Sequence, residues 1–291
     1  MSTEENHETI ISPEVKEYFR SLRLYPYTLV LTTFFALISY VVTGKLDIPA
    51  AIWVGVFIHG VICLFAISRA YIKVRGFLMR QFAQKENFSY IKRGDINSVG
   101  GFFFEKETKS KISDVASGSR NELPMRVFLL YSTDSGVGST VFECTFPHPV
   151  PQINLQGLKP FYSSKNNKGT ALVGIEFMRF VTKFNNSKQL TFEGDFNSNF
   201  SVWVKKEFEQ EAFEIFTPEF MELLLETSAS FGLKFFGNKV YLIVPKFFDR
   251  KWELDSWFLI FCRICDYLNP KVNEVAGYVK AMEEVVSRKN D

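Results

Sequence analysis

The sequence predicts an α-helical membrane hairpin of two transmembrane (TM) helices, followed by a cytoplasmic α+β domain with antiparallel strands and C-terminal helices. Three observations predict this fold class. Residues 24–44 and 48–68 are two stretches of 21 residues, each without a charged side chain. Lys and Arg are distributed unevenly around these stretches. From residue 86 to residue 291, short runs rich in Val, Ile and Phe alternate with runs of helical periodicity.

The two uncharged stretches have the length of membrane spans. At a rise of 1.5 Å per residue, a helix of this length covers about 30 Å, the thickness of a bilayer's hydrocarbon core. The alternative is a pair of buried core helices, but such helices rarely stay free of charge on every face for about six turns. The preceding residues 1–23 do not resemble a cleaved signal peptide, because they begin acidic and no small-residue cleavage site follows the first span.

The distribution of basic residues predicts the orientation of the hairpin. Eight Lys and Arg residues flank the spans on the side of the two termini, whereas only Lys45 lies in the connecting turn, residues 45–47. By the positive-inside rule, both termini are then cytoplasmic. The sequence therefore predicts a multi-pass protein of the plasma (inner) membrane. The eight residues are Lys16, Arg20, Arg23, Arg69, Lys73, Arg75, Arg80 and Lys85.

Residues 69–85 are predicted to form a basic juxtamembrane helix. Apolar residues recur there at helical spacing, with Lys and Arg beside them. Basic side chains at this depth attract anionic headgroups, at roughly 1 kcal/mol each. The segment is interpreted as a topology signal, and lipid sensing is the open alternative.

Three hairpins and a further strand are predicted in the cytoplasmic domain, residues 86–291. One hairpin is formed by "ALVGIEFMRFVTKF" and "KQLTFEGD", which flank "NNS". The runs "MRVFLLYS" and "STVFECTF" flank a Gly-containing loop, and "LKFFGNKVYLIVP" turns at Gly237-Asn238. Phe200, Val202 and Val204 alternate with more polar residues, which is the period of a strand.

Three helices are predicted in the same domain. One has Thr217 as its N-cap and Pro218 at its first position. Another, "RKWELDSWFLIFCRICDYL", carries one apolar stripe, and the tail from Pro270 onward is expected to form a separate, more polar helix. The stripe consists of Leu254, Trp257, Phe261, Ile264 and Leu268.

The stretches "EGDFNSNFSVW" and "EAFEIFTPEFMELLL" resemble those of an uncharacterised family of bacterial two-span membrane proteins. The cytoplasmic part of that family is a domain of unknown function with an F-x-V strand and a T-P-x-F-M-E helix. The resemblance covers about residues 15–245 and implies architecture only, since the family has no established activity. The matching residues are Phe200, Val202, Ala212, Phe213, Thr217, Pro218, Phe220, Met221 and Glu222.

The cysteines do not complete a metal motif. Cys262 and Cys265 have metal or redox spacing, but the only other candidate ligands are Cys144 and His148. The favoured interpretation is that Cys265 packs on an apolar helical face with Cys262 beside it. We therefore expect no metal and no cofactor, and zinc stays the alternative.

No catalytic motif is found, so no catalytic residue is assigned. The chain has three histidines, none in a recognised catalytic spacing, and the carboxylates of "EFEQEAFE" scatter over more than one helical face. Asp195 is interpreted as a turn residue. The net charge of +2 and the absence of a dense basic run argue against nucleic-acid binding.

Two classes of function remain open. The favoured one is a membrane-anchored cytoplasmic protein-interaction or scaffolding module, with the lipid bilayer and a protein partner or a second copy as its contacts. The alternative is a membrane-anchored enzyme that acts on a membrane-proximal substrate.

His59 is the one titratable imidazole inside a predicted span, twelve residues from its start. A polar group at that depth is a functional-site hypothesis by default. An antiparallel hairpin brings it level with Thr32 and Thr33, so we predict an intramembrane polar contact between His59 and Thr33. A proton relay or a haem or metal ligand is the alternative role.

Overall fold

A computed structural model describes Thr33, Tyr40, Val61 and residues 72–95, 110–132, 138–158, 186–227, 231–248 and 250–290, with side chains described up to residue 274. The chain divides into two compact units, Met1–Arg75 and Gly76–Asp291. The sheet, its helices from Gly76 onward and the sites discussed below belong to the second unit.

The described residues of this unit form one antiparallel sheet of nine strands in the order β1-β2-β3-β4-β9-β8-β5-β7-β6. Strand β9 pairs with β4 although almost one hundred residues separate them, so the order is set by long-range contacts. The strands are β1 (Ser89–Arg93), β2 (Ser110–Arg120), β3 (Leu123–Ser132), β4 (Gly138–Thr145), β5 (Ile153–Gly157), β6 (Ser187–Leu190), β7 (Phe200–Lys205), β8 (Gly232–Phe236) and β9 (Lys239–Val244).

Local chemistry explains the tight turns of the sheet. The β8–β9 hairpin turns at Gly237, whose φ of 63° lies in the left-handed region that glycine adopts without a Cβ clash. The β2–β3 hairpin has two loop residues, Asn121 and Glu122, both with positive φ (49° and 66°). Two consecutive positive φ angles are what a two-residue turn needs to match the twist of its strands.

The described helices all contribute buried residues to the core on one side of the sheet, here called the helical face. Helix α5 is the longest, at 40 residues. The helices are α1 (72–85), α2 (Phe196–Asn199), α3 (Glu209–Ile215), α4 (Pro218–Glu226) and α5 (Lys251–Asn290), with a 3₁₀ turn at Lys206–Phe208.

Aromatic rings fill the space between sheet and helices. Phe82 of α1, Phe88 and Phe258 of α5 meet edge to face, with ring centroids 4.9–6.1 Å apart. Phe220 of α4 stacks on Tyr267 of α5 at 4.8 Å with an angle of 6° between planes. Such pairs contribute about 0.5–1.5 kcal/mol beyond the burial of their area.

Several locally predicted elements are confirmed. Strands β3 and β4 coincide with the two runs predicted to flank a loop, and β7 buries Phe200, Val202 and Val204. Helix α4 begins at Pro218 with Thr217 as N-cap residue. The Thr217 hydroxyl donates to the Glu219 carboxylate (2.5 Å) and lies 2.6 Å from the Tyr267 hydroxyl, so it ties α4 to α5 rather than to a backbone N–H of its own helix.

The predicted fold class is corrected. The described residues form a nine-stranded antiparallel sheet with few helices, and none of their helices combines the length and the apolar composition needed to cross a bilayer. Helix α4 has nine residues, and α5 carries charged residues such as Asp255 and Arg263 along its length. The hairpin and the multi-pass inner-membrane location with cytoplasmic termini are therefore not supported. The segments 24–44 and 48–68 lie outside the described residues, apart from Thr33, Tyr40 and Val61.

The expected break at Pro270 is also wrong, because α5 continues through it to Asn290. A proline inside a helix removes one N–H donor and crowds the carbonyl four residues earlier, here that of Asp266. Both Asp266 and Pro270 are exposed. Water can therefore solvate the freed carbonyl, while the neighbouring Leu268 and Val272 stay buried in the core.

Candidate functional site

The outward side of α5 exposes large apolar side chains among charged ones. Trp252 and Leu259 are 58% and 53% exposed, and Ser256 between them is also exposed. Seven residues span two helical turns, so the two apolar side chains lie on one side of the helix, about 10 Å apart along its axis. We call Trp252, Ser256 and Leu259 the outer strip.

The opposite side of α5 is buried in the core. The predicted apolar stripe is confirmed as buried, and Trp257 packs edge to face against Phe231 at 5.8 Å. Trp257 is 8% exposed, against 58% for Trp252. The apolar side chains of the outer strip are therefore not part of the core.

One ion pair lies beside the outer strip and another lies at its C-terminal end. Lys85 of α1 lies 3.0 Å from the carboxylate of Asp255, and Arg263 lies 3.1 Å from that of Glu226 on α4. An apolar centre with a polar, solvated rim is the composition of protein–protein interfaces. Scattered single apolar residues on a surface need no explanation, but an exposed tryptophan aligned with a leucine between charged rims is a candidate contact.

The two ends of the outer strip carry different charges. Exposed Arg250 and Lys251 lie at the N-terminal end, where the helix dipole adds positive potential. Toward the other end, Arg263 is accompanied by the exposed carboxylates of Glu222, Glu226 and Asp266. The strip is therefore basic at one end and acidic at the other.

A second candidate is a row of polar residues across the face of the sheet opposite the helical face. Direct cross-strand partners share a face, and the register runs from Arg126 to Glu143, Tyr241, Lys234 and Asn154 on five adjacent strands. Glu143, Lys234 and Asn154 are buried polar residues. We call these five residues the polar row.

The geometry of the polar row holds Glu143 as a paired anion. Arg126 donates to both its oxygens, at 2.9 and 2.7 Å, and Lys239 Nζ lies 3.2 Å from Oε1. Burial, together with the nearby Glu143 charge, raises the pKa of Tyr241 well above its ordinary value, so that phenol stays neutral. The arrangement is a network of one buried carboxylate and two cations beside a neutral phenol.

The three described cysteines meet on the helical face. Cys144 of β4 is hydrogen-bonded to Cys265 of α5, with Cys262 nearby, and all three are free thiols and buried. Burial raises the pKa of Cys262 from 9.0 to about 12, and it raises that of Cys265 as well. These thiols are protonated at neutral pH, which makes them weak nucleophiles and poor metal ligands.

The zinc alternative receives no support from the described residues, among which no group of three or more His, Cys, Asp or Glu is arranged to hold a metal ion. His148, the proposed fourth ligand, is exposed, whereas the three thiols are buried.

A bulge in β2 creates a further polar contact. The register shifts between Ser113 and Ala116, and Asp114 has a φ of 51°. Its carboxylate accepts a hydrogen bond of 2.6 Å from Tyr90, over whose ring Arg80 lies at 5.1 Å. Burial and the bond to Asp114 raise the pKa of Tyr90 to about 12. This network joins α1 to the sheet edge.

The residues singled out from the sequence are distributed as follows. Thr33 is helical and exposed, and His59 lies outside the described residues, so their predicted contact stays a prediction. Asp195 precedes α2 and its carbonyl accepts bonds from Ser198 and Asn199, as expected of a turn residue. The carboxylates of "EFEQEAFE" are surface groups, and that of Glu209 pairs with Lys188.

Sequence reasoning missed the outer strip and the polar row. The helical period that places Trp257 in the core also places Trp252 on the opposite side of α5. The same periodicity could therefore have predicted the outer strip. No local signal marks the polar row, because its members are scattered between Arg126 and Tyr241 and only the strand order aligns them.

No protein-family model and no curated protein matches this chain. Among solved structures, the chain is similar to the mycobacterial trehalose monomycolate transport factor A, TtfA. The match has 11% sequence identity and a TM-score of 0.45, and it covers 67% of this chain and 94% of that one. A likeness at this level carries no argument about fold or function, and the resemblance to an uncharacterised two-span family stays a prediction.

Proposed function

We propose that this chain is a protein-interaction module that contacts another polypeptide through the outer strip of α5. The observation that supports this most is the exposure of Trp252, 58%, on a helix whose opposite side is buried in the core. Tryptophan is the residue type most enriched among those that dominate binding energy at interfaces. Leu259 and the two rim ion pairs complete an apolar centre with a polar border.

The chemistry of the other clusters supports an interaction role over an enzymatic one. The Glu143 carboxylate is held by Arg126 and Lys239, and the Cys262 and Cys265 thiols have raised pKa values. General acids, bases and nucleophiles need pKa values near the working pH. The Cys262 and Cys265 thiols do not have that property.

Site-specific photo-crosslinking in cells tests the proposal. A benzophenone amino acid replaces Leu259 in the full chain, and the matched control places it at Phe213 of α3, which is 48% exposed but lies outside the outer strip. We expect a discrete heavier product from position 259 and none from position 213. Absence of a product at 259, or the same products from both positions, would contradict the proposal.

A further inference from the structure

The geometry points to a specific occupant of the outer strip: we propose that it pairs with the outer strip of a second copy of this chain. The two α5 helices lie antiparallel about a two-fold axis that passes beside Ser256. This inference rests on the proposed function and names its partner.

The spacing of the apolar residues in the outer strip is compatible with a symmetric contact between two copies. A two-fold axis at the midpoint between Trp252 and Leu259 places the tryptophan of each copy against the leucine of the other. Ser256 lies next to that midpoint, and its small side chain allows the two helices to approach within the usual interaxial distance of about 8–10 Å. The apolar residues at 252 and 259 and the small one at 256 are thus in the order that an isologous contact requires.

The charges favour the antiparallel arrangement. It brings Arg250 and Lys251 of one copy toward the end of the other strip at which three exposed carboxylates, those of Glu222, Glu226 and Asp266, outnumber the cation Arg263. A parallel pair would place like charges together at both ends. Complementary potentials set the register of an interface and speed association more than they strengthen it.

The contact area of the proposed pairing is small. One helix face with two large apolar side chains buries less than the roughly 1,200–2,000 Å² of a stable interface. The dimer is therefore weak and depends on concentration. The monomer keeps its fold, because the inner stripe of α5 packs within its own chain.

Sedimentation equilibrium of the purified full chain measures the pairing, in a concentration series up to about 0.1 mM, where weak interfaces are populated. We expect a reversible shift from one chain mass, 33.6 kDa, toward twice that value. Trp252→Ala should weaken the association by about tenfold or more, and the matched control Phe213→Ala should leave it unchanged. A wild-type chain that stays monomeric throughout, or equal association of Trp252→Ala, would overturn the pairing.

A symmetric cross-link tests the position of the axis. In a chain with Cys63→Ser, the change Ser256→Cys places one thiol of each copy beside the axis, and a mild oxidant removes two protons and two electrons to join them. The control Ser89→Cys is exposed on β1, outside the outer strip. We expect a covalent dimer from position 256 only. Equal cross-linking at both positions, or none at position 256, would contradict an axis beside Ser256.

The two proposals fail in different ways. If the purified chain is monomeric while position 259 still gives a heavier product in cells, the occupant is another protein and only the self-pairing is wrong. If position 259 gives no product and the chain is monomeric, the interaction function is wrong as well.

Discussion

The two sides of α5 carry similar residues in opposite environments. Trp257 is enclosed by the core and meets Phe231, whereas five residues earlier Trp252 is exposed between charged neighbours. Burial of an aromatic side chain is among the largest single contributions to folding, so the fold accounts for the inner side. It does not account for the outer side. The difference separates the residues that stabilise the monomer from those available for contact with another chain.

The largest effect is expected on the inner side. Trp257→Ala should lower the free energy of unfolding by about 3–5 kcal/mol, because it leaves a cavity beside Phe231. Phe220→Ala should act similarly, since that ring is fully buried and stacked on Tyr267. Urea unfolding of the full chain measures both. A change below about 1 kcal/mol for Trp257→Ala would show that the inner side is not core.

The next largest effect on stability is expected at Glu143, a charged residue that is as buried as the inner side of α5. Glu143→Gln removes the anion between Arg126 and Lys239, and we expect a loss of about 1–3 kcal/mol. The value lies below that of a fully buried pair because both cations are partly exposed, at 23% and 24%, and regain some hydration. Urea unfolding at neutral pH measures the change. An unchanged or raised stability would show that the network is dispensable.

Alkaline pH should lower the free energy of unfolding through the thiols and phenols whose pKa values are raised. The pKa values of Cys262 and Tyr90 are raised from 9.0 and 10.0 to about 12, mainly by burial, and those of Cys265 and Tyr241 are also raised. The native state therefore holds protons that the unfolded chain releases first. The contribution of these groups to the stability of the native state is present below about pH 9 and is lost as the pH rises toward 12.

Unfolding free energies at pH 8 and pH 10.5 test this sign. We expect the lower value at pH 10.5, with a smaller drop in a Cys262→Ala variant. Stability that rises between these two values would contradict burial as the main cause of the shifts.

The local elements were predictable, because each depends on neighbours in sequence. Phe200, Val202 and Val204 have the period of a strand, and Gly237 supplies the positive φ of its hairpin. The helical period of α5 correctly places Trp257 in the core.

The arrangement in space was not predictable, because it depends on distant residues. The pairing of β4 with β9 aligns Glu143 with Tyr241, and no local pattern contains that register. The penalty of Pro270 suggested a helix end, but packing of Leu268 and Val272 continues the helix across it. The predicted membrane hairpin rested on the composition of two stretches, and the helices of the described residues do not support it.

The smallest effect is expected at the rim of the outer strip. Arg263 and Glu226 are 62% and 55% exposed, and pairs this exposed contribute about 0–1 kcal/mol. Glu226→Gln should therefore leave urea unfolding nearly unchanged and slow the association of two copies at low salt. A loss of stability comparable to that of Trp257→Ala would show that the rim belongs to the fold.

Trp252→Ala tests the central claim most directly, in a chain that carries the photo-crosslinker at position 259. The account predicts that the cross-linked product disappears while the free energy of unfolding changes by less than about 0.5 kcal/mol, as expected of an exposed side chain. The opposite result, an undiminished product together with a loss of stability similar to that of Trp257→Ala, would show that both sides of α5 serve the fold and that the outer strip is not a contact surface.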